Sequence, residues 1–364
     1  KNLDMPQTKS ATAAFVFWLF RNRTQTNPLR HVVWLIFRLL HQPICMDFTR
    51  QHFTHHTSQV HSIAFHPDLP LIATCSRDRS TVICDLTVSP LTINCRLNYH
   101  TAPVLSVAFH PKLPLIATSS ANHSVIFYDI STSPSTIKCR LKDHVDWIYS
   151  IAFHPTLPLF VTASDDYSVI IYDVSTWPPT MKHHLKNHTN WVRSVAFHPN
   201  LLLLATSSCD DTTILYDIST ATPTIKYKFE YIHTNHADKF APIAFHPILP
   251  LLAIGLSDNS VILYNISTSP PTVQHHLHIN CCRAVAFHST LPLIATGSLD
   301  GSVVLHNIST SPATAKQQFK HHTSSVSFVA FHPILRILAT GSADGTVNLY
   351  NLDKPSKKRR RIHI

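Results

Sequence analysis

Histidine is the residue type here most able to do chemistry: there are 28 among 364 residues, enough to raise metal ligation or proton transfer near neutral pH. Fourteen of them fall into two registers of one spacing. One set closes the phrase FH, at His66, His110, His154, His198, His246, His288 and His332. The other lies eight residues before the alanine of AFH, at His56, His100, His144, His188, His236, His278 and His322. A residue repeated by symmetry serves the repeated element before it serves a reaction. A ring of imidazoles captures a metal only where three or four converge at about 2 Å with support behind them, and one imidazole per repeat spreads them too widely. GxSxG, HExxH and a phosphate-cradling glycine loop are missing from the sequence, so the motifs point away from an enzyme and require no cofactor or metal.

The elements that must position these histidines follow from the repeat itself. The alanine of AFH recurs at 64, 108, 152, 196, 244, 286 and 330, at spacings of 44, 44, 44, 48, 42 and 44. Within one unit (144 to 187) the runs WIYSIAF, LFVTAS, SVIIYDV and TMKHHL are separated by Pro, Asp and Ser. Short β-branched and aromatic runs without a helical period read as four antiparallel strands. Seven four-stranded sheets in tandem predict an all-β fold, a seven-bladed β-propeller with its sheets packed radially about a channel.

At this point the residues resemble the WD-repeat family over about 44–353. Each unit has its His and, in the turn between second and third strands, an acid or amide: Asp78, Asn122, Asp166, Asp210, Asp258, Asp300 and Asp344. Thr74, Thr118, Thr162, Thr206, Thr296 and Thr340 stand four residues before that position, with Ile254 the exception. The resemblance implies a buried hydrogen-bonded chain of His, Thr and Asp that ends on the Trp of the WD pair. The family's Trp is replaced here by Tyr128, Tyr172, Tyr216, Tyr264 and Tyr350, and by Cys84 and His306. Where the family prefers Gly before the His, the chain has Asp143, Asn187 and Asn235, expected as residues that tolerate left-handed backbone.

The two ends of the repeat rhyme: RQHFTHHTSQV (50–60) echoes KQQFKHHTSSV (316–326). The last unit stops after its third strand at VNLYNLD, so the segment near 48–53 is expected to pair beside 347–352 and close the ring, since an unclosed blade would expose a strand edge.

Formal net charge is +10, but its distribution is uneven. Residues 1–43 contribute +5 and the tail 354–364 contributes +6, which leaves the propeller near −1. A basic body that binds nucleic acid is therefore not implied. The apolar patches AAFVFWLF and VVWLIFRLL in 1–43 are each about half the length of a membrane span. They read as an interfacial or partner-binding segment, or as a stretch upstream of a native start at Met46. The tail run Lys357, Lys358, Arg359, Arg360 and Arg361 resembles a nuclear import signal or a polyanion contact. Eight cysteines without a CxxC pair read as reduced thiols of an intracellular protein, nuclear or cytoplasmic.

A binding site for an asymmetric partner must lie where the sevenfold pattern breaks. Trp147, Tyr149, Trp191 and Arg193 come from adjacent units at positions that, by the resemblance, face the narrow top surface; Lys239 and Arg283 stand at matching places further round. Trp, Tyr and Arg are enriched at binding hot spots, although the same residues could serve only local packing. The reading is a monomeric, non-enzymatic scaffold within a complex, binding peptide or protein on that face and not spanning a membrane. Two alternatives are a nuclear propeller that uses its tail on nucleic acid and a substrate receptor of a ubiquitin ligase. The latter role often uses an Arg two residues after the acid of the WD pair, where this chain has Thr87, Ser131, Ser175, Ser219, Ser267 and Ser309.

Overall fold

The computed structural model describes residues 49–87, 91–231, 241–256, 258–279 and 281–353. They form seven four-stranded antiparallel sheets and no helix. Blades 1 to 6 span 60–97, 104–141, 148–185, 192–230, 243–278 and 282–319. Blade 7 takes three strands from 326–351 and its outermost strand, Arg50–Phe53, from the amino-terminal side. The closing pairs are Arg50 with Tyr350, Gln51 with Leu349, His52 with Asn348 and Phe53 with Val347, the pairing that the rhyming ends predicted.

Strand composition explains the packing. The second strand of every blade, such as Leu159–Ser164, is buried along its whole length, because neighbouring blades cover both its faces, and a small or apolar residue at every position suits that environment. The outermost strands, such as Thr180–Leu185, are mostly exposed and polar. Apolar side chains gather into seven clusters, and each joins residues of two adjacent blades. The core thus lies in the seams, so no blade can bury its hydrophobic surface alone.

In an antiparallel blade the turn between second and third strands and the link from outermost strand to the next blade lie at the same end. That end carries the candidate site. Its turns are tight: the residue after the turn acid has positive φ in all seven blades, at Arg79, His123, Tyr167, Asp211, Asn259, Gly301 and Gly345. Gly suits this conformation best. At Gly301 a Cβ would also lie 2.8 Å from the His322 carbonyl oxygen.

Candidate partner-binding face

The repeated histidines come first, since they set the frame. In blade 3 His144 Nδ1 lies 2.7 Å from Asp166 Oδ2 and Nε2 lies 2.7 Å from Thr162 Oγ1. The same pair of contacts joins His56 to Asp78 and Thr74, His188 to Asp210 and Thr206, and His322 to Asp344 and Thr340. In blade 2 His100 meets Thr118 at 2.8 Å and Asn122 at 3.4 Å. Burial would push the Asp166 and Asp210 carboxyls up, but hydrogen bonds from His144 or His188 and from Ser168 or Thr212 hold both well below the usual carboxylate range. These side chains tie the turn, the second strand and the incoming link together, as the resemblance implied.

Tyrosine fills the family's Trp position by reaching further. Tyr172 donates its hydroxyl to Asp143 at 3.0 Å, Tyr216 donates to Asn187 at 3.1 Å, and Tyr350 lies 3.2 Å from His321 Nδ1. The threonine hydroxyls of the same blades also engage these phenol oxygens. Asp143 and Asn187 are therefore not left-handed turn residues, as expected from sequence; neither has positive φ, and each is an acceptor for a tyrosine.

The FH histidines form a girdle that the spacing alone did not show. Each ring accepts two backbone N–H bonds at Nδ1, from the residues two and three positions on, at 2.9–3.2 Å. Each ring also packs against the Phe of FH in the next blade, with centroids 4.9–5.1 Å apart, and the circuit closes from His332 to Phe65. Two accepted bonds at Nδ1 require the neutral ring, and burial agrees, taking His110 and His332 down to about 4. Among the described residues no three His, Cys, Asp or Glu side chains gather as a metal would need.

The asymmetric residues converge in part. Tyr149 and Arg193 occupy β-bulges in the innermost strands of blades 3 and 4, and a bulge re-aims the side chain it carries. The Arg193 guanidinium carbon lies 3.7 Å from the Tyr149 ring centre and 4.7 Å from that of Trp191. Trp147 stacks on Tyr149 at 6.3 Å. Asp165, in the blade 3 turn, receives Nη2 of Arg193 at Oδ2 (3.3 Å), with Nε 3.1 Å from Oδ1. Burial pushes the Asp165 carboxyl up to about 7; Arg193 pulls it back, while Asp146 and Asp166 add to the rise.

Arg193 is thus spent inside a layered stack and does not present its charge to solvent. What faces outward is aromatic: Trp147 and Trp191 are 43% and 42% exposed, and Val145 beside them is 79% exposed. Arg283 stands apart on the innermost strand of blade 6, half-buried. Lys239 and His236, the basic tail from Lys357 to Arg361, and residues 1–43 lie outside the described residues. Thr87, Ser131, Ser175, Ser219, Ser267 and Ser309 each donate a backbone N–H to the acid or amide two residues earlier, closing a local turn.

One repeated histidine departs from the pattern. His278 is exposed and pairs with Ser260 as the last residue of the blade 5 outermost strand Thr272–His278. It makes no contact with Asp300 or Thr296; the next N–H, of Ile279, donates to the Asn259 carbonyl at 2.7 Å. The cause is chain length. From the acid or amide that ends the third strand to the histidine there are 15 positions in blades 1, 2, 3 and 6, but 13 from Asn265 to His278. Counting back from AFH puts His278 in register; counting forward from Asn265 puts it where Lys142 stands in blade 2.

All seven described cysteines are free thiols, and no helix among the described residues is long and apolar enough to cross a membrane. No curated protein matches the chain. The family model for the WD domain, G-beta repeat, matches residues 48–85, 92–129, 135–173, 179–217, 269–307 and 313–351. Each match begins with the outermost strand of one blade and ends with the third strand of the next, so the repeat is offset from the sheet by one strand. WD40 propellers are generally non-enzymatic scaffolds for other proteins. Six such repeats over most of its length, folded into seven blades, make this chain a member of the WD40 family.

Proposed function

We propose that the chain is a non-enzymatic interaction scaffold that holds a peptide or protein partner on the end of the propeller bearing Trp147 and Trp191. The observation that supports this most is the stack itself. Two indoles of adjacent blades remain more than two-fifths exposed while Tyr149, Arg193 and Asp165 beneath them fix their positions. A rigid, half-exposed aromatic pair loses little conformational freedom on binding, which is what hot-spot residues supply.

The partner this face suits presents an apolar or aromatic side chain to the indoles. Arg193 contributes by holding Trp191 and Tyr149, and Arg283 or Lys239 would steer acidic groups of the partner. An intracellular location, nuclear or cytoplasmic, accords with the free thiols. The basic tail, Lys357 to Arg361, would add import or polyanion contact to this role.

The test is affinity purification followed by mass spectrometry on the intact chain and on the W147A/W191A double variant. The reading expects specific partners to be lost at least tenfold by the double variant and kept by deletion of 354–364. Partners unchanged by the double variant would overturn it; partners lost with the tail, and released steeply by salt, would favour a nucleic-acid-linked role.

A further inference from the structure

The displacement of His278 leaves a place in blade 6 that its sister blades fill. In blades 1, 2, 3, 4 and 7 the repeated histidine is buried, 4–8% exposed, against the threonine and the turn acid or amide. In blade 6 the threonine (Thr296), the acid (Asp300) and the third-strand residue (His306) are present without it. A cleft of about 800 Å³ opens there, lined by Asp258, His278, Asp300, His306, Gln317 and Gln318 among others. His306 is 6% exposed, and its Nε2 is buried with no hydrogen-bond partner. A buried ring nitrogen left unmatched is costly, and native structures seldom keep one without a reason.

We propose that this cleft between blades 5 and 6 is a binding site for an arginine side chain carried by a partner peptide. Three features select that chemistry. Asp258 and Asp300 place two carboxylates on the wall, and each already takes a serine N–H at one oxygen, Ser260 at 3.1 Å and Ser302 at 2.9 Å, which orients the group. The His306 ring presents its unpartnered Nε2 at the buried end, which accepts a hydrogen bond when the ring carries its proton on Nδ1. The Gln317 and Gln318 amides add further acceptors along the outermost strand. A guanidinium is planar like the imidazole it replaces and offers five N–H donors in a fixed fork. The volume exceeds one side chain and accommodates the backbone on either side of it. Lys316, exposed on the same wall, disfavours a second cation next to the first, so a single arginine flanked by neutral residues is the preferred segment. The site lies two blades away from Trp191 and does not depend on the reading given for the aromatic face.

The experiment uses the full chain with ¹³C-labelled histidine and a short neutral peptide containing one arginine, Ac-Gly-Arg-Gly-NH₂, with its citrulline and lysine counterparts. The His306 signal is assigned by its loss in His306→Tyr, a residue that five other blades carry at this position. The arginine peptide is expected to shift the His306 signal saturably, and citrulline to bind at least about tenfold more weakly, as loss of charge-assisted hydrogen bonds implies. Asp258→Asn and Asp300→Asn are each expected to weaken binding about tenfold, with near-UV circular dichroism showing that the fold is kept. W147A/W191A should leave the titration unchanged. No shift with the arginine peptide, equal shifts with citrulline, or binding that survives both Asp variants would overturn the assignment. Tighter binding of the lysine peptide would overturn the choice of guanidinium.

Discussion

Blades 3 and 6 are built from nearly the same words and finish differently. In blade 3 the link LKDH delivers His144 into the sheet, where it meets Asp166 and Thr162 at 2.7 Å each, and Tyr172 reaches back to Asp143. In blade 6 Thr296 and Asp300 stand in the same places, yet the link arrives two residues short, His278 stays on the surface, and His306 is left with an unmatched buried nitrogen. The comparison teaches that the network is governed by the length of chain feeding it as much as by the residues within it. It also shows how a symmetric ring acquires a distinct blade through the length of a link between blades.

The comparison breaks most visibly if the two histidines are removed in turn. His144→Ala strands a buried carboxylate and a buried hydroxyl and should cost about 3 kcal/mol. His278→Ala, at an exposed position, should change stability by no more than about 0.5 kcal/mol. Urea unfolding of the two variants beside the parent chain measures both.

Acid should sharpen the same contrast. Buried rings that are held neutral, with folded values of about 4 at His100, His110 and His332, bind fewer protons than in the unfolded chain. Their contribution is complete above pH 6.5 and is lost as pH falls from there towards 4, roughly 1–2 kcal/mol for each ring by pH 5. Asp166 and Asp210, held low, add a second loss beginning only near pH 4, where the same carboxyls take up protons in the unfolded chain. Urea midpoints at pH 7.5, 5.5 and 4.5 should fall in that order, and His278→Ala should follow the parent curve.

Tyr172→Phe removes a buried hydroxyl from Asp143 and Thr162 and should cost about 1 kcal/mol. A gain is expected at the turns: Tyr167→Gly relieves a left-handed tyrosine that Gly301 and Gly345 avoid in their own blades, and should stabilise by about 0.5–1 kcal/mol. Thermal melts of the two single variants would separate these signs.

Much of this was legible before the coordinates. Seven copies of AFH and four short strands per copy lead to seven blades because a period of that length admits few other folds, and the pairing of 50–53 with 347–350 follows from the strand that blade 7 lacks. Pairings across seams were not legible: that His66 rests on Phe109, or that Arg193 is consumed by Asp165, depends on which blades meet and on bulges that a one-dimensional pattern does not display. The displacement of His278 is legible in the spacing. Its distance back from AFH agrees with the other repeats, but its distance forward from Asn265 does not, and a count in both directions exposes the missing pair.

Restoring the length of the link shows whether its two missing residues are what empties the blade 6 site. Inserting Lys-Asp between Leu277 and His278 recreates the run Leu141–His144. The His278 ring should then become buried against Asp300 and Thr296, as His144 is against Asp166 and Thr162, the unfolding midpoint should rise, and the arginine peptide should no longer shift His306. A His278 ring that stays exposed, with the peptide binding as before, would show that chain length does not govern the site.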